Sequence, residues 1–324
     1  MRLLTFEVDT FLGPVSRLGI WLDNQIVDLN LAYVSYLASQ GVEAPYEIAA
    51  AYVPSSMLDF LTRGRAAVTE AEKAVNFIKG HLNVGEFHVP KNEKVIHSSG
   101  IRYKAPLRPG KIVHTGVNYR EHLNEVGWQP PPIPAAFLKR GDAVIGHEEN
   151  VIYNMKVTKE LDYEIELAAV IGKRCRNVSK NSAYEYVAGY TIFNDITARD
   201  IQMLEIKKGN QFVGKNLDTS APLGPYIVTR DEIIDPHNLN FELRVNGEVR
   251  QKSNTKFMIF KIPDLVEYFS QSMTLEVGDV LTTGTPSGTA YFRKDPKPFL
   301  LKPGDNIEAE IEKIGILKNR VIAG

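Results

Sequence analysis

The sequence predicts a strand-rich α+β protein, in which a smaller α/β domain at residues 1–104 precedes a larger domain at residues 105–324. Helical patterns are concentrated in the first hundred residues, whereas short strands and turns dominate afterwards, as in a roll or distorted barrel. The turn-rich segment 105–110 separates the two regions. A chain of 324 residues is long enough for one large or two medium domains with buried cores.

Composition narrows the function classes. The formal net charge of −1 gives no reason to expect nucleic acid or a charged membrane as a partner. No apolar run approaches the roughly 20 residues of a membrane-spanning helix. The single cysteine, Cys175, cannot form an intramolecular disulfide, which fits a reducing compartment. We therefore expect a soluble, cytoplasmic protein.

In the first region, strands are predicted over 3–8 and 18–22, with a hairpin turn at 22–25 leading into a third strand over 26–29. Helical patterns follow at about 30–40, 55–63 and 65–80. No catalytic constellation is visible in these residues, so we expect them to form an accessory domain.

In the second region, strands are predicted over 112–117, 161–172 and 189–195, and a hairpin over 241–250 around Asn246-Gly247. The predicted helices are 181–187, 197–206 and 263–271. The segment 128–134 holds four prolines, so it can be neither helix nor central strand. It is either a connector or part of a lid.

Two carboxylates interrupt the apolar run at 161–172. On a strand, Glu164 and Glu166 would project from the same face, roughly 6.6 Å apart along the chain. On a buried face they would repel unless a cation or a shared proton compensated, and a hard divalent ion would serve. The alternative is an exposed strand face on which both pair with lysines.

Further candidates lie in separate segments. His122 and Glu125 have i, i+3 spacing, as in a general base oriented by a carboxylate. Asp195 ends a strand and is either a helix cap or a ligand. Lys215 is flanked by turn residues. The loop 284–288 could offer backbone N–H groups to an anion, but it lacks the lysine of a phosphate-binding loop, which argues against nucleotide binding.

Together these segments resemble the fumarylacetoacetate hydrolase family over about residues 105–320. The motifs, in the family's order, are Gly116-Val-Asn-Tyr-Arg-Glu-His122, Asp162-Tyr-Glu-Ile-Glu166, Asn194-Asp-Ile-Thr-Ala-Arg-Asp-Ile-Gln202, Gly214-Lys-Asn-Leu-Asp-Thr219, Pro222-Leu-Gly-Pro225 and Thr283-Gly-Thr-Pro-Ser-Gly288. The resemblance implies a mixed β-sandwich or roll as the catalytic domain, and a homodimer.

The resemblance also implies roles for individual residues. The ligands of Mg²⁺, with Mn²⁺ as the alternative ion, would be Glu164, Glu166 and Asp195. The catalytic residues would be His122 and Glu125, on a short helix that orders over the substrate, together with Lys215 beside the developing enolate. The substrate-binding residues would be Arg199, Gln202, Thr285, Tyr119 and Lys139.

The implied reaction is hydrolysis of a C–C bond in a small 2-oxo acid of the acylpyruvate or fumarylpyruvate type, with an enolate as leaving group. The alternatives are decarboxylation of an oxaloacetate-type acid and hydration or isomerisation of unsaturated 2-oxo acids in aromatic catabolism. Two positions depart from the family pattern. His114 is interpreted as a packing variant in preference to a pocket contact, and Arg140 after Lys139 as a solvent-exposed cation in preference to a contact with a second substrate carboxylate.

Overall fold

The computed structural model describes residues 1–81, 91 and 93–324. Within them the chain forms seven α-helices and nineteen β-strands, which confirms the strand-rich α+β class. The residues divide into two compact units, 1–107 and 108–324. None of the helices in the described part of the chain is both long and apolar enough to span a membrane.

The first unit contains an antiparallel sheet in the order β4-β3-β2-β1-β5. Its strands are β1 (Arg2–Thr10), β2 (Gly13–Leu22), β3 (Gln25–Asp28), β4 (Ile96–His97) and β5 (Ile101–Lys104). The predicted hairpin turn is present, with Asp23 and Asn24 at φ of 47° and 62°, a left-handed conformation that these two residue types tolerate.

Four helices accompany this sheet: α1 (Leu29–Ser39), α2 (Pro45–Tyr52), α3 (Met57–Arg63) and α4 (Arg65–His81). Three of them were predicted. The fourth, α2, was missed because Ala49 is its only buried residue, so its sequence carries no helical periodicity of apolar side chains.

The second unit is built on two groups of strands. One runs β14-β12-β11-β17-β6-β7, with β8 beside β14, and the other runs β16-β15-β18-β19-β9. The first group comprises β6 (Ile112–Gly116), β7 (Ala135–Lys139), β8 (Val144–Ile145), β11 (Ile165–Ile171), β12 (Val187–Asn194), β14 (Ala221–Thr229) and β17 (Val280–Thr282). The second comprises β9 (Asn150–Tyr153), β15 (Asn240–Val245), β16 (Glu248–Asn254), β18 (Asn306–Ile311) and β19 (Gly315–Ala323). Residues of both groups, Leu167 and Leu243 among them, belong to one buried apolar cluster.

Three α-helices and a short strand pair complete this unit. The helices are α5 (Arg120–Val126), α6 (Arg199–Ile206) and α7 (Ile262–Ser272), and the pair is β10 (Leu161–Asp162) with β13 (Thr197–Ala198). The predicted helix at 181–187 is instead a 3₁₀ segment, Lys180–Tyr186. The predicted hairpin at Asn246-Gly247 is present, with φ of 51° and 81° at its two turn residues.

The strand predicted over 161–172 is broken into β10 and β11. Side-chain acceptors replace the strand ladder at the break: the Glu164 N–H donates to Asn194 Oδ1 at 2.9 Å, and the Ile165 N–H to Gln251 Oε1 at 3.0 Å. Glu164 therefore precedes β11, whereas Glu166 lies within it. The expectation of one continuous strand was therefore wrong, although ligand atoms of the two glutamates still lie within 4.8 Å of each other.

Candidate active site

Four buried side chains from separate segments meet in the second unit: His114, Glu164, Glu166 and Asp195. One potential ligand atom of each lies within 4.8 Å of the others. The register of β11 and β12 pairs Glu166 with Phe193, and the N–H of Asp195 donates to the carbonyl of Glu164 at 2.8 Å. Strand β6 contributes His114. The fold thus brings together the three carboxylates that the sequence predicted as metal ligands.

His114 is part of this cluster. Its Nε2 lies 2.7 Å from Glu166 Oε1 and 2.8 Å from Asp195 Oδ2. Burial lowers the pKa of His114, but the two carboxylates outweigh burial and raise it to about 9. The ring also stacks on Phe137 with the centroids 4.3 Å apart. The packing expected from the sequence is present, but the preference for packing over a pocket contact was wrong.

Two buried lysines neutralise part of the acidic charge. Lys215 Nζ lies 2.8 Å from Glu164 Oε2, 2.6 Å from Asp195 Oδ2 and 2.7 Å from Thr197 Oγ1. Lys139 Nζ donates to the other oxygen of Asp195 at 2.5 Å. Burial lowers the pKa of Lys139, and Asp195 opposes that shift.

These cations keep the carboxyl groups ionised. Burial alone would raise the pKa of Asp195, but His114 and Lys139 hold it well below its usual range. Burial acts on Glu164 in the same direction, and Lys215 and Arg199 together outweigh it to lower the pKa of that carboxyl. Carboxylates that remain charged when buried can act as ligands of a cation.

Arg199 contacts the cluster through Glu164 and also lines the cavity next to the cluster. Its guanidinium donates from Nη2 to Glu164 at 2.5 Å, from Nη1 to Gln202 Oε1 at 2.8 Å and from Nε to Asp162 at 2.8 Å. Burial lowers the pKa of Arg199, but the two carboxylates raise it, so the side chain stays cationic. With these donors engaged, Arg199 is held in one orientation.

Asp162 is a positioning residue to which the sequence analysis assigned no role, although it begins a quoted motif. Its Oδ1 accepts the N–H groups of Tyr163 and Ala290 at 2.8 and 2.9 Å. Its Oδ2 accepts Arg199 Nε at 2.8 Å and the N–H of Tyr291 at 3.0 Å. Every donor points at a carboxylate oxygen, so an amide group could not satisfy all four.

The predicted dyad is formed on α5. His122 Nδ1 donates to Glu125 Oε2 at 2.9 Å, and Glu125 Oε1 accepts the N–H of Gly288 at 2.9 Å. The imidazole packs edge-on against Phe292, with the centroids 5.5 Å apart. Because the carboxylate holds a proton on Nδ1, the lone pair is left on Nε2.

Asn118 anchors the segment that leads into α5. Its Nδ2 donates to the carbonyls of Phe260 and Thr283 at 3.0 and 2.9 Å, and its Oδ1 accepts the Phe260 N–H at 2.8 Å. The preceding residue, Val117, has a φ of 53°, which is unfavourable for a β-branched side chain. These hydrogen bonds hold the strained turn that precedes α5, the helix that carries His122 and Glu125.

The loop 284–288 offers backbone N–H groups to anions, and those anions are the protein's own carboxylates. The Gly284 N–H donates to Glu166 Oε2 at 2.8 Å, and the Gly288 N–H to Glu125. Gly284 has a φ of +82°, and a Cβ there would lie 3.0 Å from the carbonyl oxygen of Thr115. The loop therefore connects the acidic cluster to the dyad.

The predicted substrate contacts divide into two groups. Arg199, Gln202 and Thr285 line the cavity. Tyr119 packs in the core, with its ring centroid 5.7 Å from that of Phe241. The amine of Lys139 binds Asp195. Neither residue belongs to the lining of the cavity. Tyr119 and Lys139 are therefore not retained as substrate contacts.

Arg140 faces away from the site. Its guanidinium binds the exposed Asp142 at 2.6 Å, and 42% of the side chain is accessible. This supports the simpler of the two sequence interpretations, an arginine at the surface.

Part of the cluster and one member of the dyad, His122, line a cavity of about 500 Å³. The polar part of its lining includes His114, His122, Glu164, Glu166, Arg199, Gln202, Lys215 and Thr285. The apolar part includes Val126, Trp128, Phe137, Met203, Ile206 and Phe292. Trp128 is half exposed and begins the proline-rich segment, which is neither helix nor strand, as predicted.

The donor set fits a divalent cation. Opposite ligands of an ion with bonds of about 2.1–2.4 Å lie roughly 4.2–4.8 Å apart. The 4.8 Å spread of the four ligand atoms matches that span. Glu164, Glu166 and Asp195 supply hard oxygen ligands, and His114 supplies a nitrogen.

Comparison with known proteins identifies similar chains. A sequence profile described as "Fumarylacetoacetate (FAA) hydrolase C-terminal" matches residues 111–322. The mitochondrial oxaloacetate tautomerase Fahd2a of Rattus norvegicus is 40% identical over 324 residues, covering 99% of this chain and 92% of the relative. The oxaloacetate tautomerase YisK of Bacillus subtilis is 42% identical over 275 residues, covering 83% of this chain and 87% of the relative.

A solved structure extends the similarity to the whole chain. It is the maleylpyruvate hydrolase from Sphingobium sp. SYK-6 in complex with manganese(II) ion and pyruvate. It is 29% identical, has a TM-score of 0.70 and covers 100% of both chains.

The substitution Asp162→Asn should destabilise the second unit by about 3 kcal/mol. It removes the negative charge that pairs with buried Arg199, and it places an amide N–H₂ opposite backbone N–H groups that need an acceptor. Urea unfolding followed by circular dichroism measures the change.

The matched control is Asp142→Asn, which alters the exposed pair with Arg140 and should change the free energy of unfolding little, because solvent screens that pair. Equal effects of the two substitutions would contradict the assigned role of Asp162.

Proposed function

Because the chain belongs to the fumarylacetoacetate hydrolase family, we propose that it catalyses enolate chemistry on a small 2-oxo acid, and that it interconverts the keto and enol forms of oxaloacetate. The observation that carries the proposal is that His114, Glu164 and Glu166 of the cluster line one cavity together with His122, which Glu125 orients. The similarity to two oxaloacetate tautomerases, one of them along nearly the full chain, supports this choice of substrate.

Glu164, Glu166 and Asp195 would hold the divalent cation, with Mg²⁺ or Mn²⁺ as the candidate ions. The hard oxygen donors favour Mg²⁺, and the manganese ion in the maleylpyruvate hydrolase structure supports Mn²⁺. When bound, the cation would supply Lewis-acid stabilisation of negative charge on the 2-oxo group.

The chain's own residues supply the proton transfer. His122 Nε2 carries a lone pair toward the cavity and takes the proton from the carbon next to the 2-oxo group. Glu125 keeps the proton on Nδ1 and stabilises the imidazolium that forms. Lys215 and Arg199 add fixed positive charge near the oxygen on which negative charge develops. Transfer of the proton from the His122 imidazolium to the enolate oxygen gives the enol and regenerates the neutral imidazole, and the reverse sequence restores the keto acid.

The second candidate is hydrolysis of a C–C bond in an acylpyruvate. In that reaction His122 would remove a proton from water, and the water would attack the distal carbonyl. Two observations favour it: the apolar wall that includes Trp128, Met203 and Phe292 suits an apolar acyl group, and a maleylpyruvate hydrolase is among the similar structures. Decarboxylation of oxaloacetate uses the same site without an attacking water.

A panel of substrates separates these reactions. Chelator-treated protein is resupplied with Mg²⁺ or Mn²⁺ and incubated with oxaloacetate, acylpyruvates or fumarylpyruvate. We expect faster decay of the enol absorbance of oxaloacetate, without release of carbon dioxide, and loss of that activity in EDTA. Two carboxylic acid products from an acylpyruvate would favour hydrolysis, and carbon dioxide would favour decarboxylation. No turnover of any compound would refute the proposal.

The substitution His122→Ala should lower kcat by about 10²–10⁴, the usual contribution of a general base. Its affinity for the divalent cation should change little, because His122 lies outside the carboxylate cluster. Steady-state kinetics and calorimetric metal titration measure the two effects.

The control for this variant is His81→Ala. Among the hydrogen bonds described, the ring of His81 takes part in one, with the carbonyl of Phe77. Full activity of His122→Ala would remove the dyad from the mechanism.

We also propose that the protein is a cytoplasmic homodimer and that residues 1–104 form an accessory domain. The dimer rests on the family resemblance. Light scattering of the full chain tests the homodimer. Cell fractionation tests the cytoplasmic location; the rat relative is described as mitochondrial.

A further inference from the structure

We infer that His114 is a fourth protein ligand of the divalent cation, through Nε2, and that this nitrogen shifts the metal preference of the site from Mg²⁺ towards a transition-metal ion such as Mn²⁺. The inference rests on the proposed function only in requiring a divalent cation at the cluster. The proton-transfer scheme above gives His114 no task.

The position of Nε2 is that of a ligand adjacent to two carboxylate oxygens. It lies 2.7 Å from Glu166 Oε1 and 2.8 Å from Asp195 Oδ2. Neighbouring ligands in an octahedral shell with bonds of about 2.1 Å are separated by roughly 3 Å. All four ligand atoms, including one of Glu164, also satisfy the 4.8 Å spread of a single coordination sphere.

The ring is fixed in this orientation by packing. It stacks on Phe137 at an interplanar angle of 27°, and only 2% of the side chain is accessible. Within the described residues, Nδ1 has no hydrogen-bond partner. The polar contacts of the ring are therefore made by Nε2, and they point into the cluster.

Of the three carboxylates, Glu166 is the one for which no lysine or arginine contact is described. Lys215 contacts Glu164 and Asp195, and Lys139 contacts Asp195. The contacts described for Glu166 are His114 and the N–H of Gly284. Ligation through Nε2 would release the proton of that nitrogen, and the ion would take over its positive charge beside Glu166 while lying within reach of the other two carboxylates.

The nitrogen determines which ion is preferred. Mg²⁺ favours oxygen ligands and retained waters, whereas imidazole suits first-row transition metals. Three carboxylate oxygens and one nitrogen also leave two positions of a six-coordinate ion free. A 2-oxo acid chelates with two oxygens, one from its carboxylate and one from its oxo group, so four protein ligands match that substrate class.

The test is pulsed electron paramagnetic resonance of the Mn²⁺-loaded, full-length protein. We expect a ¹⁴N modulation from a directly bound imidazole in the wild type and in His122→Ala, which keeps His114 and alters a histidine of the same cavity. The modulation should be absent in His114→Gln and His114→Ala. Competitive titration should show the Mn²⁺ to Mg²⁺ affinity ratio falling by at least about tenfold in both His114 variants.

The wild-type spectrum alone tests direct binding of the nitrogen, even if the His114 variants do not fold. Bound Mn²⁺ without ¹⁴N modulation would mean that His114 serves as a cation beside the carboxylates instead of a ligand. A modulation that persists in the His114 variants, or failure of Mn²⁺ to bind, would also overturn it. Turnover of oxaloacetate without ¹⁴N modulation would refute His114 as a ligand and leave the proposed function standing. Modulation without turnover would support His114 as a ligand and refute the proposed function.

Discussion

The structure depends on the compensation of buried negative charge. Four carboxylates, those of Asp162, Glu164, Glu166 and Asp195, are almost fully inaccessible to solvent within one site. Lysine and arginine side chains meet three of them directly. Removing charges from water costs several kcal/mol per ion unless partners compensate, so the site is stable only as a complete set. A divalent cation held by Glu164, Glu166 and Asp195 would complete that set.

The fold meets this requirement by drawing the partners from distant segments. Strand β6 supplies His114, β11 supplies Glu166, and the residues after β12 supply Asp195. Because these strands are hydrogen-bonded within one buried sheet, the ligand positions are rigid. The dyad lies on a seven-residue helix next to a proline-rich segment outside regular structure. The carboxylate cluster is therefore held by regular structure, whereas the part of the cavity wall near Trp128 is not.

The sequence predicted what short motifs encode. The three clustered carboxylates, the His122–Glu125 pair and Arg199 each lie in a short motif that the family resemblance identified. It failed where the outcome depends on contacts between distant segments. Gln251 and Asn194 break the strand expected over 161–172, because their side chains take N–H groups that a strand would have paired. The family resemblance assigned Lys139 to substrate, and its contact with Asp195, 56 residues away in sequence, could not be predicted from the motif.

The central claim is that the cluster binds one divalent cation. Calorimetric titration of Mn²⁺ into chelator-treated protein tests it most directly, with Glu166→Gln and Asp195→Asn as variants and Asp142→Asn as the surface control. The account predicts one ion per chain in the wild type and the control, and affinity at least about tenfold weaker in the two cluster variants. No binding to the wild type, or unchanged binding in both cluster variants, would contradict it.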